Sequence, residues 1–462
     1  MIDSLLFMET KKLYKKQQDF FKSNTTKDVS FRIAQLKKLK KLLKTNEQLL
    51  YDAIQEDFGK SEFETYVSEL SQIYHELNLF IKKTKKWSKR RRVTSGLANF
   101  PANSYILPEP LGVTLVIGAW NYPYLLSLVP AITALAAGNT VFLKPSELPA
   151  KTSKVMAKII NNNFSAEYFH VVQGGVKETT ALLENRFDKI FFTGSTTVGK
   201  VIYKAAAKHL TPVTLELGGK SPAFVLADTD IRMSAKRMVW SKFLNSGQTC
   251  VAPDYIFVHQ SIEQKFLKAL REEIETRYTA SGVDKNLSQI INIKNFNRLS
   301  SLIDNDKIFC GGITDAEKRF ISPTVLHNIS LDDEIMKDEI FGPLLPVVSF
   351  SEINEAIEYV KDQPKPLACY VYSKNKKQIQ KILKEVSFGG GCVNDGVMHL
   401  SNINLPFGGV GASGLGNYHG KFGFDAFSHK KGVLHKPFWL ELSIKYTPHS
   451  LFKKKLIQWF IE

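Results

Sequence analysis

Cysteine is scarce in this chain: four of its 462 residues are cysteines, Cys250, Cys310, Cys369 and Cys392. None of them belongs to a C-x-x-C pair or to a His–Cys cluster at metal-ligand spacing, so the sequence predicts neither a disulfide framework nor a metal site. This usage is typical of a reducing compartment. All but Cys250 are interpreted as structural, because free cysteine usually packs as a small apolar side chain.

The N-terminus lacks the features of an export signal. Residues 1–7 contain no basic region and no long apolar run, and Asp3 comes almost at once. This pattern predicts that no signal peptide is cleaved, and with the cysteine usage it favours a cytoplasmic location.

Long segments without a charged residue are also few. The segment 111–142 has none, and its length alone would suit a membrane-spanning helix. Its prolines, glycines and asparagines argue against that interpretation. The pattern instead predicts a buried β-α-β unit, with a strand at 112–117, a helix at 123–137 that ends at Gly138, and a strand at 140–143.

Acidic residues are fewer than basic ones. The chain has 45 Asp and Glu residues and 62 Lys and Arg residues, which gives a formal net charge of +17. The excess lies mainly at 37–44 and 82–92. No nucleic-acid motif or aromatic stacking pattern accompanies it, so no nucleic-acid partner is expected. A solvated charged face explains such runs most simply. The functional alternative is peripheral attraction to an anionic membrane at its inner face, helped by the basic and apolar tail at 452–460.

Helical spacing of apolar residues predicts a helix pair over 28–58 and a further helical run over 61–87. Strands and helices then alternate from residue 112 to residue 192, which indicates an α/β fold with a doubly wound parallel sheet. Such sheets bind ligands at the carboxyl ends of their strands. A second α/β region follows Glu216.

Three separate stretches carry groups suited to chemistry on a carbonyl. Asn245 to Pro253, N-S-G-Q-T-C-V-A-P, places Cys250 among small and polar residues in a predicted turn. Glu216 precedes two glycines in L-E-L-G-G-K, and Asn121 lies in W-N-Y-P after a predicted strand. A nucleophile, a base and an amide donor are what acyl chemistry requires.

A glycine turn over 192–200, F-T-G-S-T-T-V-G-K, joins a predicted strand to a helix and could present backbone N–H groups to phosphate. It nearly fits two nucleotide motifs. Thr196 replaces the middle glycine of the dinucleotide fingerprint, and Val201 replaces the metal-binding hydroxyl of a P-loop. The second departure disfavours an ATPase, although that class stays open at this point.

The motifs N-S-G-Q-T-C, L-E-L-G-G-K, W-N-Y-P, F-T-G-S and E-I-F-G-P (339–343) together resemble the NAD(P)-dependent aldehyde dehydrogenase superfamily, over nearly the whole chain. C-V-A-P-D-Y (250–255) and Y-H-G-K (418–421) resemble its class 3 branch, which includes fatty aldehyde dehydrogenases. The resemblance implies oxidation of a hydrophobic aldehyde, whether long-chain aliphatic, aromatic or polyene, to the acid with NAD or NADP.

The resemblance also implies residue roles. Cys250 would be the nucleophile, Asn121 an oxyanion donor and Glu216 the base for the hydrolytic water. The expected cofactor-binding residues are Lys144, Glu147, Gly194, Ser195, Thr196, Thr197, Val198, Gly199, Glu339 and Phe341. The expected substrate residues are Tyr122, Tyr418 and His419.

The domain organisation expected from the resemblance has three parts. Residues 1–95 and 110–215 would form a Rossmann-like dinucleotide-binding domain, and 216–430 the catalytic domain. Residues 96–109 and 431–462 would form a small β oligomerisation arm with a C-terminal tail, so a homodimer is expected. Two alternatives remain: a CoA-acylating enzyme of the same superfamily, and a basic membrane-associated scaffold without activity.

Overall fold

The computed structural model describes residues 4–279 and 287–461. Its helices are α1 Ser4–Lys22, α2 Val29–Thr45, α3 Glu47–Phe58, α4 Glu62–Thr65, α5 Ser71–Trp87, α6 Pro123–Ala137, α7 Ala150–Asn161, α8 Val176–Leu183, α9 Thr196–Ala207, α10 Ile231–Phe243, α11 Glu263–Ile274, α12 Ile293–Ser300, α13 Ile353–Asp362, α14 Lys376–Glu385, α15 Gly420–Ala426 and α16 Leu451–Ile461. A π-helical turn, Tyr66–Leu70, joins α4 to α5.

The strands are β1 Arg91–Val93, β2 Asn103–Pro110, β3 Val113–Ile117, β4 Thr140–Lys144, β5 Phe169–Val171, β6 Lys189–Thr193, β7 Val213–Glu216, β8 Pro222–Val225, β9 Tyr255–His259, β10 Ile308–Cys310, β11 Thr314–Asp315, β12 Phe320–Ile321, β13 Thr324–Leu326, β14 Leu344–Phe350, β15 Ala368–Tyr372, β16 Gly390–Val393, β17 Gly414–Leu415 and β18 Ser428–His435.

A six-stranded sheet has the order β17-β7-β6-β3-β4-β5, and all its pairs are parallel except β17 with β7. The chain order reverses between β3 and β6, so the carboxyl ends of these two strands flank a crevice of the kind that binds nucleotides. The predicted doubly wound α/β sheet is confirmed.

The predicted β-α-β unit is also confirmed, as β3, α6 and β4. Pro123 supplies the first turn of α6, and Gly138 ends the helix with φ 99°, a backbone conformation that favours glycine. All of α6 except Leu125 is buried. Every helix within residues 4–279 and 287–461 is too short or too polar to cross a bilayer.

A second, seven-stranded sheet has the order β10-β13-β14-β9-β8-β15-β16 and is parallel except for β10. A third sheet, β1-β2-β18, joins residues 91–110 to residues 428–435 in antiparallel pairing. The expected domain boundaries of 95, 215 and 430 remain a prediction. Two observations bear on them: β7 ends at Glu216, and β17, from the expected catalytic domain, pairs with β7 in the first sheet.

Candidate active site

A cavity of about 590 Å³ opens at the carboxyl edge of the six-stranded sheet, facing the loop that carries Cys250. Ten of the predicted site residues line it: Asn121, Lys144, Glu147, Gly194, Ser195, Val198, Glu216, Cys250, Glu339 and Phe341. The three groups proposed for carbonyl chemistry, far apart in the chain, therefore share one cavity with most of the proposed cofactor residues.

Asn121 lies between the end of β3 and the start of α6, and its side chain is buried. Its Nδ2 donates to the carbonyl oxygen of Gln248 at 3.0 Å, and Asn245 Nδ2 donates back to the Asn121 carbonyl oxygen at 2.8 Å. These two bonds tie the W-N-Y-P turn to the cysteine loop. The amide that could bind an oxyanion is thereby held beside the thiol.

The cysteine loop begins with three consecutive residues in left-handed backbone conformation, Asn245, Ser246 and Gly247, with φ 53°, 54° and 70°. A Cβ on Gly247 would lie 2.3 Å from the carbonyl oxygen of Gly342, so only glycine fits there. The predicted turn around Cys250 is confirmed, and the thiol is half-buried.

No helix of residues 4–279 and 287–461 begins at Cys250, so no helix N-terminus supplies a positive charge to this thiol. Burial and, to a smaller extent, the carboxylates of Glu339 and Glu216 together raise the pKa of Cys250 to about 12. A positive charge beside this thiol would favour the thiolate, which is the nucleophilic form.

Glu216 is the last residue of β7 and is 3% exposed. Neither of its carboxyl oxygens has a hydrogen-bond partner among the described residues, and burial raises its pKa well above the ordinary range for glutamate. A carboxyl group in this state has its lone pairs free to accept a proton from water in the cavity.

Glu339 sits against the two glycines that follow Glu216. A Cβ on Gly218 would lie 2.0 Å from Glu339 Oε2, and the Gly219 N–H donates to the Glu339 carboxyl group. Burial raises the pKa of Glu339 to about 8, and nearby Asp254 raises it too. Next to it, Phe341 packs edge-to-face on Trp120 with ring centroids 5.3 Å apart.

Lys144 and Glu147 form the other end of the cavity lining. Lys144 ends β4; its buried Nζ donates to the Pro145 carbonyl oxygen at 2.8 Å and lies 3.8 Å from the half-exposed Glu147 carboxylate. Burial lowers the pKa of Lys144. Both side chains border the crevice between β4 and the glycine turn, which is where a ribose would lie in a nucleotide-binding sheet.

The glycine turn is shorter than the sequence suggested. Ser195 caps α9 through a bond from the Val198 N–H at 3.3 Å, and the Gly194 N–H donates to the Glu216 carbonyl oxygen at 3.0 Å. Gly199 already lies inside α9, where a Cβ would come within 2.6 Å of Leu217. Thr196, Thr197 and Gly199 do not line the cavity, so helix packing rather than phosphate contact explains Gly199.

The three predicted substrate residues also lie outside the lining of this cavity. Tyr122 is buried, and its hydroxyl is 2.6 Å from Thr249 Oγ1. Tyr418 packs edge-to-face on Phe191 at 4.8 Å, and His419 stacks on Phe407 at 5.2 Å. Burial lowers the pKa of His419 to about 4, so this side chain is neutral at physiological pH.

Several lining residues were not predicted, among them Gly175, Thr180, Leu183 and Asn295. Gly175 follows Gly174 in a turn after β5, and that turn is visible in the sequence. Asn295 lies in α12, 40 residues after the nearest recognised motif, which ends at Tyr255, and nothing in the sequence signals its place.

The model of the aldehyde dehydrogenase family matches residues 8–433. That match covers well over half of the chain. The chain belongs to the aldehyde dehydrogenase family. The predicted family, α/β fold, oxidoreductase class and NAD or NADP as cofactor are therefore confirmed.

Individual aldehyde dehydrogenases resemble this one over more than nine-tenths of their length. The 4,4'-diaponeurosporen-aldehyde dehydrogenase of Staphylococcus aureus is 43% identical over 93% of this chain and 95% of its own. Mouse aldehyde dehydrogenase family 3 member A2 is 41% identical over 96% and 92%. The solved structure of Staphylococcus aureus AldH in a substrate-bound state superposes with a TM-score of 0.96 at 41% identity, covering 98% of this chain and 99% of that one.

Proposed function

We propose that this aldehyde dehydrogenase oxidises a hydrophobic aldehyde to the carboxylic acid through a covalent thioester on Cys250. The observation that carries the proposal is that the Cys250 thiol, the Asn121 amide and the unpartnered Glu216 carboxyl group line one cavity. Long-chain aliphatic, aromatic or polyene aldehydes are the expected substrates. Oxidation of a polyene aldehyde fits the name of the relative from Staphylococcus aureus.

The cavity fits a dinucleotide. Helix α9 begins beside Gly194 and Ser195, and the N–H groups of a first helical turn have no carbonyl partner inside the helix, which suits a pyrophosphate. Lys144 and Glu147 would hold the adenosine ribose, and Glu339 the nicotinamide ribose with Phe341 beside it. With the cofactor held by these residues, the nicotinamide would supply the acceptor for the hydride that leaves the substrate carbon and a positive charge near the thiol.

The reaction steps follow from the chain's own groups. The Cys250 sulfur attacks the aldehyde carbon, and the resulting oxyanion accepts hydrogen bonds from Asn121 Nδ2 and the Cys250 backbone N–H; removing one such donor typically costs about 10²–10³ in rate. Collapse of this thiohemiacetal with loss of hydride leaves a thioester. Glu216 takes a proton from water, whose oxygen attacks the thioester carbon, and the acid leaves as the thiol is restored.

A product assay separates this proposal from CoA acylation. Purified enzyme is given a series of saturated aldehydes of increasing chain length with NAD or NADP, with and without CoA. The proposal predicts free acid in both cases, and kcat/KM that rises with chain length. Acyl-CoA as the sole product, or no reduced cofactor with any aldehyde, would overturn it.

We expect the replacement of Glu147 by Gln to shift cofactor use toward NADP. The Glu147 carboxylate is half-exposed beside the proposed ribose site, where it would repel a 2′-phosphate. Removing this negative charge is expected to raise the ratio of kcat/KM with NADP to kcat/KM with NAD by about tenfold, which corresponds to about 1.4 kcal/mol. Steady-state kinetics with both cofactors measures the ratio. An unchanged ratio would remove Glu147 from the ribose site.

We also propose a homodimer formed through the sheet β1-β2-β18, which stands apart from the two larger sheets with its strand residues mostly half-buried or exposed. An exposed antiparallel sheet of this kind invites pairing with another chain. Analytical ultracentrifugation should give twice the mass of the 52.2 kDa chain. A monomer at micromolar concentration would contradict the proposal.

The C-terminal segment supports peripheral attachment of a cytoplasmic enzyme to an anionic membrane. Phe438, Trp439, Leu451 and Phe452 are each more than two-thirds exposed, and Lys453, Lys454 and Lys455 accompany them. Apolar and basic residues together favour anionic lipid surfaces. The enzyme should sediment with vesicles containing phosphatidylglycerol and not with phosphatidylcholine alone. Equal recovery in the supernatant with both would contradict this.

A further inference from the structure

A short segment before α5 carries a fully buried ion pair. Lys60 and Glu69 are 1% and 0% exposed, and Lys60 Nζ lies 3.0 Å from Glu69 Oε1. The π-helical turn Tyr66–Leu70 turns the Glu69 side chain into the protein. Removing two charges from water costs free energy, and this cost offsets much of the attraction between them. A buried ion pair is therefore weak evidence, by itself, that the pair stabilises the fold. Its contacts suggest another role.

The second oxygen of Glu69 holds the start of α6. Glu69 Oε2 accepts from the backbone N–H of Tyr124 at 2.8 Å and from that of Leu125 at 3.2 Å. The first N–H groups of a helix have no partner inside the helix, and a carboxylate placed there also interacts favourably with the helix dipole. Glu69 therefore fixes the helix turn that comes directly after Asn121 and Tyr122.

Lys60 contacts the same turn from another side. Its Nζ lies over the Tyr122 ring, 4.6 Å from the ring centroid, within the range of a cation–π interaction. The Tyr122 hydroxyl is 2.6 Å from Thr249 Oγ1, and Thr249 precedes the nucleophile. A chain of direct contacts thus runs from Lys60 to the cysteine loop.

The same segment reaches the cysteine loop a second time. Glu64 Oε1 accepts from the Asn245 backbone N–H at 2.8 Å. Asn245 in turn donates its side-chain amide to the carbonyl oxygen of Asn121. The segment from Lys60 to Glu69 consequently touches both loops that carry the proposed oxyanion donors, although none of its residues lines the cavity.

We propose that Lys60 and Glu69 are positioning residues for aldehyde oxidation: they hold the first turn of α6 and the Tyr122 ring so that Asn121 stays in place relative to Cys250. This inference rests on the proposed roles of Cys250 and Asn121. Lys60 and Glu69 would act through other residues, since neither lines the cavity.

The test is a double variant, Lys60→Met with Glu69→Gln, which removes both charges of the pair together; the buried Glu64, whose charge Lys60 also stabilises, keeps its bond from the Asn245 N–H. The matched control is Lys151→Met with Glu56→Gln, which removes an ion pair of 2.7 Å between α3 and α7 that is more than half exposed. Stopped-flow formation of reduced cofactor gives the rate of the acylation half-reaction, and titration gives the Kd of the oxidised cofactor.

The proposal predicts that the double variant loses at least tenfold in the acylation rate at saturating aldehyde, while its cofactor Kd stays within twofold and the control pair behaves like the wild type. An acylation rate within twofold of the wild type would overturn it. So would an equal loss of cofactor binding and of Tm, since that outcome marks a general structural role.

Glu69→Asp provides a second route if the double variant does not fold. It keeps the negative charge opposite Lys60 but is one methylene shorter, so it cannot hold both Lys60 and the two α6 N–H groups. A reduced acylation rate with normal cofactor Kd is expected again, and a wild-type rate would overturn the proposal. Failure of the proposed function is separate: it would appear as aldehyde oxidation by Cys250→Ala.

Discussion

Replacement of Cys250 by Ala is expected to abolish aldehyde oxidation and to leave dinucleotide binding intact. Loss of a covalent nucleophile removes the first bond-forming step, and such losses cost on the order of 10⁶ in kcat in a well-studied protease. Cofactor affinity should change little, because Ala keeps the backbone N–H and removes only the sulfur. Steady-state formation of reduced cofactor and a titration of cofactor binding measure the two effects.

Cys310→Ala is the matched control for this substitution. Cys310 is also half-buried but lies on β10, at the edge of the seven-stranded sheet, and does not line the cavity. It should retain wild-type kinetics. Turnover by Cys250→Ala above one hundredth of the wild-type rate would remove Cys250 from its proposed role.

The second large effect is expected for Glu216→Gln, which should form the acyl-enzyme and then stall. The substitution keeps the size of the side chain but removes the proton acceptor, and a general base typically contributes about 10²–10⁴ in rate. Rapid mixing should therefore show one equivalent of reduced cofactor per active site, followed by a steady state slowed by at least a hundredfold.

The pH dependence of the wild type provides an independent check on Glu216. Burial raises the pKa of this carboxyl group, so its basic, ionised form increases with pH over a range above that of an exposed glutamate. Hydrolysis of the acyl-enzyme should accelerate with pH in the wild type and lose that dependence in Glu216→Gln. A pH-independent hydrolysis rate in the wild type would contradict the assignment.

Asp188→Asn is the control for Glu216→Gln. Asp188 is a partly buried carboxylate whose pKa is also raised by burial, but it accepts from the Val113 N–H at the amino edge of the same sheet, away from the cavity. Normal burst and steady-state rates are expected. A stall in Asp188→Asn as well would show that charge loss anywhere in this sheet impairs hydrolysis.

Local patterns in the sequence predict the parallel sheet well, since Pro123 and Gly138 bound α6 and apolar runs without charge mark β3 and β4. They do not predict α1, whose residues 4–22 are rich in lysine. This helix is held by long-range contacts, such as Gln17 Nε2 with the Val141 and Ala166 carbonyl oxygens at 3.1 and 3.0 Å, and such contacts leave no local signal.

In the candidate site, too, the sequence predicts some features from local motifs and misses others that depend on long-range contacts. Motifs identify Cys250, Glu216 and Asn121, because their chemistry needs those residue types beside glycine and proline turns. The sequence could not predict that the Cys250 thiol has a raised pKa, since this depends on burial and on Glu339, which lies 89 positions away. Nor could it predict that Lys60, between the two predicted helical regions, and Glu69, within the second of them, form an ion pair behind the Asn121 turn.

We propose that the Cys250 sulfur, the Asn121 amide and the Glu216 carboxyl group act on one aldehyde carbonyl. Trapping the thioester on Cys250 tests this proposal directly. Glu216→Gln is mixed with a saturated long-chain aldehyde and NAD, quenched in acid after the burst, digested and analysed by mass spectrometry. We expect the peptide containing Cys250 to gain the mass of one acyl group, in an amount equal to the reduced cofactor formed. Reduced cofactor formed in that amount without acylated Cys250, or acylation at another cysteine, would contradict it.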